Sequence, residues 1–334
     1  MAVPLRRPRA ALHHLRRRRL VGATLAGALP RAAAAQETPG RPVRVLVGFP
    51  GGSMPDLIAR LLAEPMGARL GAPVVVENRP GATGAIAAEA AARAAPDGRT
   101  LLMMPHSALL LPVTRRNLGF DPAVDLEPVA GLAAAPLVLV TDPALGLRDL
   151  DGFVALARAR GDALAYGMSG PGASPHMAMA LLARAAGIAP TGVAYRGDPE
   201  IFTALLSGQV AAAFVLAPTA VPLVREGRLT ALAVTAEARL PALPAVPTAA
   251  EAGWPEVAIA SWWGLAAPRG TPAAEVARLA AVARAGLASP GFGARLAEGG
   301  AVVLDLGPEA FGAFIGRERA RLLALAAELG VRPE

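Results

Sequence analysis

Past a polar stretch from Gln36 to Pro42, short apolar runs alternate along the chain with longer segments of helical period, and Gly or Pro separates them. Arg44 to Phe49, Pro73 to Val76, Thr100 to Met104, Leu137 to Thr141, Leu164 to Met168, Gly192 to Tyr195, Val210 to Leu216, Thr230 to Thr235, Ile259 to Leu265 and Ala301 to Leu306 read as strands. Asp56 to Leu70, Thr83 to Ala95, Ser174 to Ala186, Glu200 to Ser207, Pro218 to Glu226, Pro272 to Leu287 and Pro308 to Leu329 read as helices, several opened by Pro or by a capping Ser, Thr or Asp. This alternation predicts an α/β protein with largely parallel sheets. A length of 334 residues suits about two such domains.

In two α/β lobes a ligand sits outside the carboxyl ends of the strands, where loops feed helix N-termini. Three glycine-rich turns have that placement: Gly48 to Asp56, Glu77 to Ala82 ahead of Thr83, and Gly167 to His176. Thr83 is expected to cap a helix whose free N–H groups face the cleft and attract an anion through the helix dipole. Each turn alone is also what any tight strand-to-helix connection requires. Together they predict an anion-binding cleft.

Hydrophobic residues make up 54% of the chain and charged residues 18%, which supplies a core rather than disorder. The net charge of +7 would suggest nucleic acid if it were spread over the fold. It is not. Residues 1 to 35 hold eight arginines and no acid, and removing those eight from 33 leaves 25 basic against 26 acidic residues. A positive stretch, the apolar Leu20 to Leu29 and the small-residue run Ala32 to Ala35 read as an export signal, cut near Ala35, rather than as a membrane anchor. Arg18 and Arg19 are compatible with the twin-arginine route and equally with an ordinary secretory signal. Absence of cysteine excludes disulfides, thiolate metal sites and a Cys nucleophile.

Gly81 to Gly84 lacks the Lys and Ser/Thr of a nucleotide P-loop, and Gly170-Pro171-Gly172 is too short for a dinucleotide fingerprint. Ser169, Ser174 and His176 raise a hydrolase reading, but Gly167-Met168-Ser169-Gly170-Pro171 lacks the last glycine of a nucleophile elbow and no Asp follows in triad order. A hydroxyl that hydrogen-bonds an anion needs less machinery, so no catalysis and no cofactor are expected. His106 and His176 have no metal-ligand spacing. Arg79 can pair with a ligand carboxylate or with Glu77 or Asp97, the second being the commoner role of a loop arginine. Asp56 would repel a carboxylate and suits the first turn of its helix. Trp262 and Trp263 can stack on an aromatic ligand or pack where two lobes meet.

The segments "GFPGGSMPDLIARLLAEPM", "GAPVVVENRPGATGAIAAEAAARAAPDGRTLL", "YGMSGPGASPHMAMALL", "VAYRGDPEIFTALLSGQV", "RLTALAVTAEARLPALPAVPTAAEAGWPEV" and "SWWGLAAPRGTP", in that order, resemble the extracytoplasmic solute receptors of the tripartite tricarboxylate transporter system, the Bug or TctC family. The resemblance runs from about Arg41 to Val331. It implies a type II periplasmic binding protein fold: two α/β lobes with a ligand cleft between them, the first from 41–140 plus 262–334, the second from 141–261, with 1–36 as export signal and start of linker.

It further implies a periplasmic, monomeric receptor for a small carboxylate, working with membrane transporter subunits and not with nucleic acid. A ligand-sensing adaptor for a sensor kinase needs the same cleft and remains the alternative. The ligand-binding residues it implies are Phe49, Gly52, Ser53 and Asp56 from the first turn, with Gly81, Ala82, Thr83 and Gly84 from the second. His106 and Ser107 follow the third strand. Ser169, Ala173, Ser174 and His176 face them, together with Tyr195, Arg196, Gly197 and Asp198.

Three departures from the family pattern bear on the ligand. Met54 and Pro55 displace the hydroxyl beside Asp56, Met104-Pro105-His106-Ser107 brings an imidazole towards the cleft, and Leu216-Ala217 stands where family members often carry an Asp. Loss of that acid points to a less polar carboxylate and away from an ammonium-bearing ligand.

Overall fold

The structure is a computed structural model that describes residues 40–289 and 291–331. The expected export signal lies outside the described residues. Among these, β1 (Val43–Val47) leads through the first glycine-rich turn into α1 (Met54–Leu70), and β2 (Val74–Asn78) leads into α2 (Ala85–Ala92). β3 (Thr100–Pro105) is followed by the short helices α3 (Leu111–Thr114) and α4 (Pro122–Asp125) and then by β4 (Leu126–Thr141).

A second series follows: α5 (Leu150–Arg160), β5 (Ala165–Met168), α6 (Ser174–Ala186), β6 (Thr191–Ala194), α7 (Asp198–Leu206), β7 (Ala212–Leu216), α8 (Ala217–Arg225) and β8 (Thr230–Val234). The chain then returns through β9 (Ala260–Pro268), α9 (Ala273–Leu287), α10 (Phe292–Ala297), β10 (Val302–Leu306) and α11 (Pro308–Glu328).

Strand order is β2-β1-β3-β9-β4-β7-β5-β6, with β8 and β10 also pairing β4. β1 runs parallel to β2 and β3, and β5 runs parallel to β6 and β7. Every pairing made by β4 and β9 is antiparallel. The sheets are therefore mixed, where the sequence pattern predicts largely parallel ones. The physical reason is β4: from Leu126 to Pro136 it pairs β9, and from Leu137 to Thr141 it pairs β7 and β8, so one extended strand serves both halves of the molecule.

Alternation along β1 and β3 sends side chains to two cores. Val45, Val47, Leu101 and Met103 pack with Ile58 and Leu62 of α1 and Leu279 and Ala283 of α9. Leu46, Leu102 and Met104 face Ala87, Ala88 and Ala91 of α2 and Phe311 and Ile315 of α11. The same core continues through Leu137 and Leu139 to Phe153 and Met177. Val138 and Val140 turn the other way, towards Ile201, Leu205 and Val221. Helices thus cover both faces, and loops at the carboxyl ends of β1, β2, β3, β5, β6 and β7 are left to form the site.

Candidate functional site

Two cavities share Phe49 and Ser169 in their walls. The outer one, about 640 Å³, is bounded by Gly48 and Phe49 after β1, Pro80 to Thr83 after β2, Arg115, Ser169 to Pro171 after β5, and Ala194 to Arg196 with Glu200 around β6 and α7. Its two cationic side chains are Arg115 and Arg196. Arg115 Nη2 donates to Thr83 Oγ1 at 3.2 Å, which brings a guanidinium to the rim of the second glycine-rich turn. The Arg196 amide donates to Glu200 Oε2 at 3.0 Å.

Backbone conformation in that turn is unusual. Gly81, Ala82, Thr83 and Gly84 have φ of 128°, 50°, 55° and 92°, and Gly84 N donates to Gly81 O at 3.0 Å. Two non-glycine residues in the left-handed region cost of the order of 1 kcal/mol each and are characteristic of ligand-binding turns. Gly170 comes from the opposite side. A Cβ there would lie 2.5 Å from Thr83 Oγ1, so only glycine lets the two loops approach this closely.

The inner cavity is about 50 Å³, room for a group of one or two heavy atoms. Apolar walls come from Phe49, Met54, Leu216 and Trp263, and polar groups from Ser53, His106, Ser107, Ser174, Asp198 and Ser261. Neither Arg nor Lys lines it. Ser53 Oγ donates to Pro50 O at 2.7 Å, leaving its lone pairs for the cavity, and the Ser174 and Ser261 hydroxyls bond each other. His106 and Ser107 are 4% and 2% exposed, and His106 Nε2 and Ser107 Oγ have no hydrogen-bond partner within the protein.

Burial lowers the His106 pKa to about 4, opposed by the Glu318 carboxylate and assisted by Arg321, so the ring is neutral at physiological pH. Asp198 is 8% exposed and its pKa is raised to about 6 by burial, against the hydrogen bonds it accepts from Thr219 Oγ1 at 2.5 Å and Leu216 N at 3.4 Å. Asp198 therefore restores a carboxylate at the end of β7, where Leu216-Ala217 supplies none.

Seven of the sequence-predicted residues border the outer cavity: Phe49, Gly81, Ala82, Thr83, Ser169, Tyr195 and Arg196. Ser53, His106, Ser107, Ala173, Ser174, Gly197 and Asp198 border the inner one. Gly52, Asp56, Gly84 and His176 line neither. Asp56 accepts from the Gly52 amide, Arg60 and Asn78; burial pushes its carboxyl up, but these bonds outweigh it and hold the pKa below the ordinary value. His176 Nδ1 accepts from the Gly172 amide at 3.1 Å. Arg79 bonds Glu77 at 2.7 Å, the in-protein partner expected of it.

Thr83 does not cap a helix: it lies inside the left-handed turn, and α2 begins at Ala85 behind Gly84. A Cβ on Gly81 would meet Ile86 Cδ1 at 2.7 Å rather than project into ligand space. Trp262 packs edge-on against Phe311 and Phe314 and donates to Glu318, while its neighbour Trp263, on the opposite face of β9, lines the inner cavity. Arg115 lies in no motif segment, and Glu200 and Ser261, though inside such segments, were not among the expected ligand residues. Their place in the site comes from folding alone.

A mixed α/β fold with a cleft walled by the loops at its strand ends is the fold of periplasmic binding proteins, among them the solved structure of BugD. The chain belongs to the tripartite tricarboxylate transporter family receptors, whose family model matches residues 58–331. It is 35% identical over 300 residues to protein BugT of Bordetella pertussis, covering 88% of this chain and 91% of that one. Among solved structures it is similar to the R. palustris protein Rpa4515 with adipate, at 32% identity and TM-score 0.84, covering 89% of this chain and 100% of that one. It is also similar to MatC of Rhodopseudomonas palustris with bound malate, at 35% identity and TM-score 0.80, covering 86% and 99%. The type II fold and family read from the sequence motifs are thus borne out. Among the described residues no helix is long and apolar enough to cross a membrane, and no cluster of His, Asp or Glu could hold a metal ion.

Proposed function

We propose that the protein is a periplasmic receptor that closes on a small carboxylate and delivers it to a tripartite tricarboxylate-type membrane transporter. The observation that carries this reading is the outer cavity, where Arg115, Arg196 and the left-handed turn Gly81 to Gly84 converge on one space. Bound adipate and malate in two similar proteins support the ligand class.

The ligand carboxylate lies against the Pro80 to Thr83 turn and Arg115, with Ser169, Tyr195 and Arg196 facing it. The lobes are 41–140 plus 262–334 and 141–261, a division supported by the exchange of partners along β4 between Pro136 and Leu137. Closure is driven by the ligand's greater affinity for the closed state. The chain acts as a monomer, without catalysis and without nucleic acid. Its first 35 or so residues direct export and are removed, as the arginine-rich, apolar and alanine segments support.

A thermal-shift screen tests the reading. Carboxylates of matching size raise the melting temperature, increasingly with concentration, by about 2.7 kcal/mol of stability at a hundred times Kd. A shift with neutral sugars and none with any carboxylate would refute it.

A further inference from the structure

The two cavities have opposite electrostatic character. The outer one presents Arg115 and Arg196, partly offset by Glu200. The inner one has no cation in its walls and contains the Asp198 carboxyl. A second carboxylate pushed into the inner cavity would meet a like charge in a poorly solvated space, where repulsion is strong.

The hydrogen-bonding inventory leans the same way. Ser53 has committed its proton to Pro50 O, and Asp198 receives only two bonds from the protein, from Thr219 and Leu216. Ser107 Oγ and His106 Nε2 are buried without partners beside them. The Ser107 hydroxyl can donate as well as accept, but the Ser53 lone pairs and the ionised Asp198 carboxylate only accept, and with no cation in the walls they want a donor.

Charged groups on the surrounding elements do not change this balance. On α7, Glu200 is engaged with Arg196; on α8, Arg225 donates to Ala242 O; on α1, Asp56 pairs with Arg60. After β3, His106 is neutral, and on α6 His176 accepts from Gly172. Among the described residues, only the hydrogen bonds from Thr219 and Leu216 act against the burial of Asp198, and no cation does.

We infer that Asp198 is the specificity-determining residue of the inner cavity, and that the ligand carries an O–H or N–H donor, a hydroxyl or an ammonium, at the end opposite its carboxylate. The carboxylate stays at the outer cavity with Arg115, and the donor end reaches Asp198, Ser53 and Ser107. This rests on the carboxylate-receptor reading and narrows it. It also reverses the expectation, drawn from Leu216-Ala217, of a ligand without a group for an acid to hold.

Titration calorimetry at pH 8 tests it with unsubstituted, ω-hydroxy and ω-amino monocarboxylates and α,ω-dicarboxylates of three to six carbons. The tightest compound is an ω-hydroxy or ω-amino acid, at least about tenfold tighter than the unsubstituted acid and the dicarboxylate of its length, as a site built to hydrogen-bond a donor rejects analogues lacking it. Asp198→Asn, which keeps an oxygen for Thr219 and Leu216, abolishes that preference and improves dicarboxylate binding. Loss of roughly a hundredfold or more for the amino series identifies ammonium, and roughly tenfold for the hydroxy series identifies hydroxyl. A wild-type preference for dicarboxylates or unsubstituted acids overturns the inference and leaves the carboxylate receptor standing. If nothing in the series binds, both fall. Because the wild-type ranking decides the matter, the test does not depend on the variant folding.

Discussion

Asp198 and His106 lie in the same cavity and pull stability in opposite directions over one pH window. Asp198 has its pKa raised to about 6 in the folded protein, so the native state holds a proton that the unfolded chain has released. Its ionisation costs nothing near pH 4 and destabilises the fold fully above pH 6. His106, held near 4, stays neutral while the unfolded chain takes up a proton, so its contribution is lost as pH falls from about 6.5 to 4. Asp198→Asn removes the first effect alone. Its melting temperature should exceed wild type at pH 8, by the equivalent of about 1–3 kcal/mol, and the difference should vanish by pH 4. Circular dichroism melts across that range measure it, and equal melting temperatures at pH 8 would show that Asp198 carries no cost of burial.

At the level of elements, β9 and β4 approach α11 through glycine. A Cβ on Gly264 of β9 would lie 2.2 Å from Phe311 Cζ and 2.5 Å from Ala130 O, and the backbone oxygen cannot turn away. Gly264→Ala should therefore cost about 2–3 kcal/mol or more in denaturant unfolding. Gly316, inside α11 with nothing within 4 Å of the same position, is the control. There alanine should gain up to about 1 kcal/mol, because it reduces the entropy lost when helix forms. Equal effects at the two sites would contradict the packing of α11 on the strands.

The whole molecule is tied together by β4. Its two halves belong to different pairings, and the core containing Leu46 and Phe311 is continuous with that containing Phe153 and Met177. Neither set of partner strands can lose this strand without exposing the other. Calorimetric unfolding of the ligand-free protein should accordingly be one transition, with calorimetric and van't Hoff enthalpies in agreement. Two resolved transitions would mean that the two sets of strands unfold separately. A shared strand also suits a binding protein, since it joins both sets of strands while leaving the loops at the strand ends to form the site.

Much of this was readable from local pattern. The bounds of α6, Ser174 to Ala186, follow from its apolar period and flanking glycine, and each of the ten apolar runs falls on a strand. These signals are local because a strand or helix buries a fixed face, and the face dictates residue spacing. The first half of β4, "LEPVAGLAAAP", was invisible: its Gly, Ala and Pro residues show no β-branched run, and it is a strand because β9 and β10 pair with it. α5 was missed for a related reason, since Leu150, Phe153, Val154 and Ala157 form a stripe too short to stand out. The three glycine-rich turns marked where the cleft would be, but its chemistry came from distance in sequence closed by folding. Ser174 meets Ser261 across 87 positions, Thr83 meets Arg115 across 32, and Asp198 meets Thr219 across 21. Residue type can announce a turn, a capping acid or a buried strand. Which charges share a cavity, and which carboxyl is left there without a cation, depends on contacts between segments, and no spacing along a chain encodes those.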